Sequence, residues 1–568
     1  MPQKPLPVGI DDFEKLITNG YYYVDKTLLI KELLDKKGEV NLFTRPRRFG
    51  KTLGISMLRY YFEKAENPAE EKERLSLFKG LAIMDQGKRY VQEMMEYPVI
   101  SLSLKSAKQP SWDLAYGYLK EEISREYLRH DSVRVSLKTP EQKRRFEAIM
   151  NLRGSRQDFI TSIRFLSECL YQHWQHKVII LIDEYDVPLE NSYFKGFYNE
   201  MIDFIRSLFE SALKTNPCLE FSVVTGCLRI TKESIFAGLN NLEMISILSR
   251  TYEEHFGFTQ AEVDQMLGYY HLSDKQAIIK EWYDGYLFGN TEVYNPWSVA
   301  NYVKALTAYP GEYPAPYWAN TSSNSIVKSL VERADLSLKA ELEELLAGGT
   351  ITKAIHEDIT YDSVFDSEDN LWNFLFFTGY LKQSSRQIDS GTQYITLTIP
   401  NMEVKYIYKN TIIKWFHDKV KAKDLTPLYQ SILNGESGLF QTELSKLLQE
   451  SISYMDSQEA FYHGFMMGIL GNLDGCLVKS NRESGNGRLD IIIRSLDVTV
   501  TPVILELKVA ETYKGMDAAC DMALRQIEEL GYDSWLPEEG YTEVWNYGIS
   551  FFRKQCKVKV VHHFFNPG

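Results

Sequence analysis

The stretch NLFTRPRRFGKTL, residues 41–53, decides the fold. It continues an apolar, β-branched run over residues 40–43 and opens a segment with helical spacing over residues 53–62. A strand that turns through glycine into a helix points backbone N–H groups and the positive end of the helix dipole at an anion. Gly50 lets the backbone approach a phosphate, Lys51 has the reach for β and γ oxygens, and the Thr52 hydroxyl suits an accompanying Mg²⁺. The pattern GxxxxGK(S/T) would place glycine at 45, where this chain has Arg45. On spacing alone, a basic turn before a helix is an equal alternative.

A second stretch, VIILIDEYD at 178–186, tips the balance. An apolar strand that ends in two adjacent carboxylates is a Walker-B element: Asp183 is expected in the Mg²⁺ shell and Glu184 against the attacking water. A third strand, FSVVTG at 221–226, delivers Thr225 as a polar sensor near the γ-phosphate, and Arg229 close behind can reach the same phosphate. Arg45, Arg47 and Arg48 are expected either to touch phosphates of the bound nucleotide, to face a partner's nucleotide, or to form a solvated basic loop. Runs at 40–43, 99–104, 178–182 and 221–225 alternate with helical patterns, which predicts a mainly parallel sheet with helices on both faces. The charge-rich stretch 67–89 reads as a solvated excursion.

The stretches IDDF at 10–13, YYYVDKT at 21–27, RPRRFGKT at 45–52, LIDEYD at 181–186, TGCLRITKESIF at 225–236, LNN at 239–241 and WYDGY at 282–286 together resemble the AAA-ATPase-like proteins, P-loop enzymes of the AAA/STAND type. The resemblance covers most of residues 5–300. It implies that an arginine at 45 is the usual form of this loop, that ATP is the cofactor, and that Glu184 supports hydrolysis. AAA-type sites often take an arginine from a partner, so a homo-oligomer is open, with Arg229 and Arg250 as candidates.

A second centre lies near the other end. GRLDIII at 487–493 and TPVILELK at 501–508 are two apolar strands, the first opened by Asp490 and the second carrying Glu506 and Lys508 two residues apart, on one face. If the strands form a hairpin, two carboxylates and a lysine converge. That set suits a hard divalent cation and water activation at a phosphodiester. Glu459 on an upstream helix can complete the shell, and Gln526 lies on a helix that runs on to Tyr532. The order Glu, Asp, Glu-x-Lys, Gln on helix–strand–strand–helix resembles the PD-(D/E)XK nuclease superfamily, as do FYHGFMMG at 461–468, SNRESGNGRLD at 480–490 and ALRQIEELGY at 523–532. The resemblance implies that Asp490 and Glu506 are metal ligands, that Lys508 is catalytic, and that Glu459 and Gln526 support them in a restriction-endonuclease-like α/β domain.

Between the centres, helical patterns dominate. Thr259 and Glu262 form a capping-box pattern, DSGT at 389–392 reads as a hairpin turn, and the Pro- and Tyr-rich stretch 309–318 as an ordered loop. A composition shift at 434–437 reads as a linker. Three regions follow: a P-loop ATPase domain at 1–250, a mostly helical middle at 251–434, and a nuclease-like domain at 439–568. The 568 residues carry 64 Lys and Arg against 77 Asp and Glu, a net charge of −13, which excludes a basic nucleic-acid coat. Contact with DNA or RNA must then be local. The basic stretch 138–164 reads first as a solvated helical face. Six scattered cysteines with no CxxC pair suit reduced thiols in a cytoplasmic protein, and no run is long enough to span a bilayer. The expected function is ATP binding and hydrolysis joined to Mg²⁺-dependent cleavage of nucleic acid. The alternative is a nucleotide-gated signalling module whose nuclease fold grips without cutting.

Overall fold

The computed structural model describes residues 3–228, 235, 236, 238–320, 336–355, 357, 364, 367–421, 424–450, 459–471, 473, 475–484, 487–495, 497 and 499–565. The chain divides into two compact units. One comprises residues 1–323 and 352–405, the other 324–351 and 406–568. The middle region expected at 251–434 is thus shared between them, and the division falls inside the helix Met402–Lys421.

The first unit is built on β1 (Val40–Thr44), β2 (Val99–Ser103), β3 (Val178–Asp183), β4 (Leu219–Gly226) and β5 (Leu242–Ile245), in the order β2-β3-β4-β1-β5. Every pairing is parallel. All residues of β1 and β3 are buried, as an α/β sheet covered on both faces requires. This order places β1 and β3 on either side of β4, so their carboxyl ends open on one edge. Gly50, at φ 85°, turns the chain from β1 into the helix Lys51–Phe62.

Arg45 does not face that edge. It is fully buried and donates to the Thr44 and Ile245 carbonyls at 3.0 and 2.8 Å, with its guanidinium 4.9 Å from the Phe288 ring. Burial lowers its pKa to about 9, which leaves it a cation at neutral pH. The stretch 67–89 is not a simple excursion. Asn67 caps the helix Pro68–Phe78, whose Leu77 and Phe78 are buried, with Phe78 5.0 Å from the Phe13 ring. Arg74 is buried beside them and pairs with Glu63 at 3.0 Å.

Beyond the sheet, β6 (Phe258–Thr259), β7 (Tyr286–Phe288) and β8 (Thr291–Tyr294) form a small antiparallel sheet, and Thr259 and Glu262 close the expected capping box. A second small sheet holds β9 (Ile351–Ala354), β10 (Lys382–Asp389) and β11 (Thr392–Thr398), with Asp389 opposite Thr392 across the expected turn. Helices make up most of the rest of the middle.

In the second unit, β12 (Cys476–Ser484), β13 (Gly487–Ser495), β14 (Val503–Val509), β15 (Glu543–Phe552) and β16 (Gln555–Phe564) lie in sequence order. The sheet is mixed, because only β14–β15 is parallel, across the helix Met516–Glu529. One face packs on Leu425–Leu448 and Tyr462–Leu470 side chains, the other on Ile527 and Tyr532. The 434–437 segment is not a linker. It is a turn inside this unit, where a Cβ at Gly435 would stand 2.6 Å from the Trp545 ring. All six cysteines are free, and no helix among the described residues is long and apolar enough to cross a membrane.

Glu403, fully buried, accepts from the Ser298 hydroxyl at 2.8 Å and the Trp318 N–H at 2.8 Å. Burial pushes its carboxyl from 4.5 up to about 7. The native state therefore holds a proton that the unfolded chain releases. Its stabilising effect is full below about pH 4.5 and is lost as pH rises through about 7, a change on the order of 3 kcal/mol. Thermal unfolding followed across that range should show stability falling with pH, and Glu403→Gln should flatten the slope.

Candidate functional site

The open edge of the parallel sheet carries one cluster of polar groups. The Thr52 hydroxyl donates to Asp183 Oδ2 at 2.7 Å, and the Thr225 hydroxyl to Asp183 Oδ1 at 2.5 Å. One carboxylate, 3% exposed, thus joins the first turn of the Lys51–Phe62 helix, the end of β3 and the end of β4. Lys51 Nζ donates to the Arg45 and Pro46 carbonyls, both at 2.8 Å, so the ammonium sits within the curl of its own loop.

Glu184 follows immediately and is half-buried. Its φ of 53° is left-handed, as is the 70° of Arg48. Such backbone is rare outside glycine and concentrates at functional sites. Burial, and then the Asp183 charge, push the Glu184 carboxyl up, while Lys51 and Lys105 oppose the rise. Arg47 pairs with Glu190, and the Arg48 guanidinium lies 4.2 Å from the Trp297 ring. Arg229 lies outside the described residues.

Arg47, Arg48, Gly50, Lys51, Thr52 and Glu184 border the polar end of a cavity of about 360 Å³. Leu6, Val8, Phe258, Met266 and Trp297 line its apolar part. Lys105 and Lys108, which follow β2, also border it and were not anticipated from the sequence. The available signal was positional: in a parallel sheet every strand end on this edge is a candidate.

The second unit brings together Asp490, Glu506 and Lys508. The antiparallel register pairs Ile491 with Leu505 and Ile492 with Ile504, so Asp490 and Glu506 fall at neighbouring ends. Alternation sets both on the face of Ile492 and Ile504, which Ile527 of the Met516–Glu529 helix covers. Asp490 Oδ2 accepts the Leu507 N–H at 2.8 Å, and Lys508 Nζ donates to Glu506 Oε1 at 2.8 Å. Glu506 is 1% exposed, and its Oε2 has no hydrogen-bond partner among the described residues. A buried, orphaned carboxylate oxygen beside a second carboxylate fits a divalent cation. Among the described residues no group of three or more His, Cys, Asp and Glu converges to hold a metal.

Gln526 does not reach the two carboxylates through its amide. Its Nε2 donates to the Tyr532 hydroxyl at 3.2 Å, and Tyr532 feels the charges of Glu506, Asp490 and Lys508. His463 Nε2 lies 3.1 Å from the Asp490 carbonyl, which ties the Glu459–Leu470 helix to β13. The Glu459 side chain lies outside the described residues. In the basic stretch 138–164, Arg144 pairs with Glu141, Arg145 with Asp158 and Arg164 with Glu168. Three of the seven cations of the stretch are thus paired with carboxylates.

Burial, then the Asp490 charge, push the Glu506 carboxyl up to about 7. A cation must displace that proton, so Mn²⁺ affinity measured by calorimetry should tighten about tenfold between pH 6 and pH 8. Glu506→Gln should remove both the affinity and its pH dependence.

The family described as "Predicted AAA-ATPase" matches residues 7–236, and the PD-(D/E)XK nuclease superfamily matches residues 457–561. An uncharacterized protein encoded in the vnfD 5′ region of Azotobacter chroococcum mcd 1 is 25% identical over 543 residues, which is 94% of this chain and 93% of the relative. No solved structure matches. The chain therefore carries an AAA-ATPase-like domain over residues 7–236 and a PD-(D/E)XK nuclease superfamily domain over residues 457–561.

Proposed function

We propose that the first unit binds and hydrolyses ATP with Mg²⁺, and that the second unit cleaves phosphodiester bonds of DNA or RNA with a divalent cation. The observation that carries the first reading is the Thr52–Asp183–Thr225 chain, which begins at a cavity lined by Thr52, Lys51 and Glu184. Thr52 and Asp183 would hold the cation, which supplies charge neutralisation for the triphosphate. Lys51 leaves two backbone carbonyls for phosphate oxygens, and the loop N–H groups bind the β-phosphate. Glu184, with its carboxyl raised, accepts the proton of the attacking water. The apolar part of the cavity excludes water and suits a nucleobase.

In the second unit the orphaned Glu506 Oε2 and the nearby Asp490 support the reading. These two carboxylates would hold the cation, which supplies a more acidic water and neutralises the phosphate. Lys508 orients the attacking water and stabilises the charge that develops on the phosphate. Tyr532, bonded to Gln526, stands close to all three groups. Residues 459–568 hold 11 Lys and Arg against 15 Asp and Glu, so binding rests on a few contacts rather than on a basic surface.

A cleavage screen over single- and double-stranded DNA and RNA, in Mg²⁺ or Mn²⁺ and with or without ATP, tests the nuclease. Cutting is expected for at least one substrate, and Lys508→Ala should lower it by about a hundredfold or more while the protein still binds Mn²⁺. Metal and nucleic-acid binding without cutting would identify a gripping module instead. For the first unit, Lys51→Ala should abolish ATP binding measured by calorimetry.

A further inference from the structure

The phosphate end of the cavity holds more cations than the loop itself supplies. Six cationic side chains border the whole cavity: Lys26, Arg47, Arg48, Lys51, Lys105 and Lys108. Four are already engaged. Lys26 pairs with Glu262, Arg47 with Glu190, Arg48 stacks on Trp297, and Lys51 donates to two carbonyls. Lys105 and Lys108 have no ion pair or side-chain hydrogen bond among the described residues.

The turn that carries Lys105 is fixed to the catalytic strand. Ser103 stands opposite Asp183 in the parallel register, and the Leu104 N–H donates to the Asp183 carbonyl at 3.0 Å. The Asn191 amide, on the helix that follows Asp186, donates to the Gln109 carbonyl, and the Ser106 hydroxyl to Glu122 at 2.9 Å. Lys105 therefore leaves β2 level with Glu184, on the side of β3 away from Thr225. Its charge is among those that act on the Glu184 carboxyl.

We propose that Lys105 is a catalytic residue of ATP hydrolysis, supplying from within the same chain the positive charge at the γ-phosphate that related sites often take from a partner's arginine. The inference rests on the nucleotide reading of this cavity. In the step, the water oxygen forms a bond to Pγ and the bond from Pγ to the β,γ-bridging oxygen breaks. The electron pair leaves on the β-phosphate of ADP, and the water proton passes to Glu184. Lys105 neutralises charge on the γ-phosphoryl oxygens as this happens, opposite Lys51. A group so placed serves the transition state more than the bound ADP, which lacks that phosphoryl group.

The test compares full-length wild type, Lys105→Ala and Lys105→Arg by steady-state ATP turnover, with ATP and ADP affinities from calorimetry. Lys105→Ala should lower kcat by about a hundredfold while ADP affinity stays within about threefold, and Lys105→Arg should recover part of the rate. Wild-type turnover per chain should stay constant over about a hundredfold range of protein concentration, as a site complete in one chain requires. The proposal is overturned if Lys105→Ala turns over like wild type. A fall in ADP affinity parallel to kcat, or wild-type turnover per chain that climbs with concentration, overturns it equally. Wild type that binds no ATP defeats the nucleotide reading itself, whereas wild type that binds ATP without turnover defeats only the catalytic role.

Discussion

The Asp183 carboxylate is the point on which the first unit turns. Its two oxygens accept the Thr52 and Thr225 hydroxyls, so one buried charge spans the phosphate loop and the ends of β3 and β4. That is possible because β4 lies between β1 and β3, all three in parallel. A carboxylate 3% exposed is costly unless its acceptor sites are filled. Here each oxygen accepts one hydroxyl, from Thr52 and from Thr225. Strand order, burial and hydrogen bonding are one constraint seen at three levels.

Arg45 shows how the loop is held from behind. Its guanidinium bonds to the β1 and β5 carbonyls and stacks against Phe288, while Phe49 packs 4.9 Å from Tyr286. The phosphate loop is thus anchored to the edge strand and to the small sheet of β6–β8. A glycine at 45 would leave those carbonyls without their donor. The side chain that departs from the common motif is a structural strut.

Much of this was legible in the sequence. Apolar strands ending in Thr52-, Asp183- and Thr225-bearing turns announce a parallel sheet with a polar edge, and the Asp490, Glu506 and Lys508 spacing announces a shared face. The hairpin at 389–392 and the cap at Thr259 were readable because turn and cap chemistry is local. What escaped depends on long-range pairing or on which side of a helix is dry. Lys105 lies at the site only because β2 pairs with β3. The 67–89 stretch is charged on average yet buries Leu77 and Phe78. Gly435 and its neighbours have linker composition, but Trp545 lies against them.

The two centres solve related problems differently. In the first, hydroxyls satisfy the buried carboxylate. In the second, Glu506 keeps one oxygen without a partner among the described residues, and burial raises its pKa toward neutrality. The central claim is that Asp183 is built to exchange its hydroxyl partners for a cation that arrives with the nucleotide. Calorimetric titration of ATP into wild type and Asp183→Asn, each with Mg²⁺ and with EDTA, tests it most directly. Wild type should bind ATP more tightly with Mg²⁺ than without, and Asp183→Asn should lose that difference. Wild-type affinity unchanged by Mg²⁺, or an Asp183→Asn protein that keeps the full Mg²⁺ effect, would contradict it.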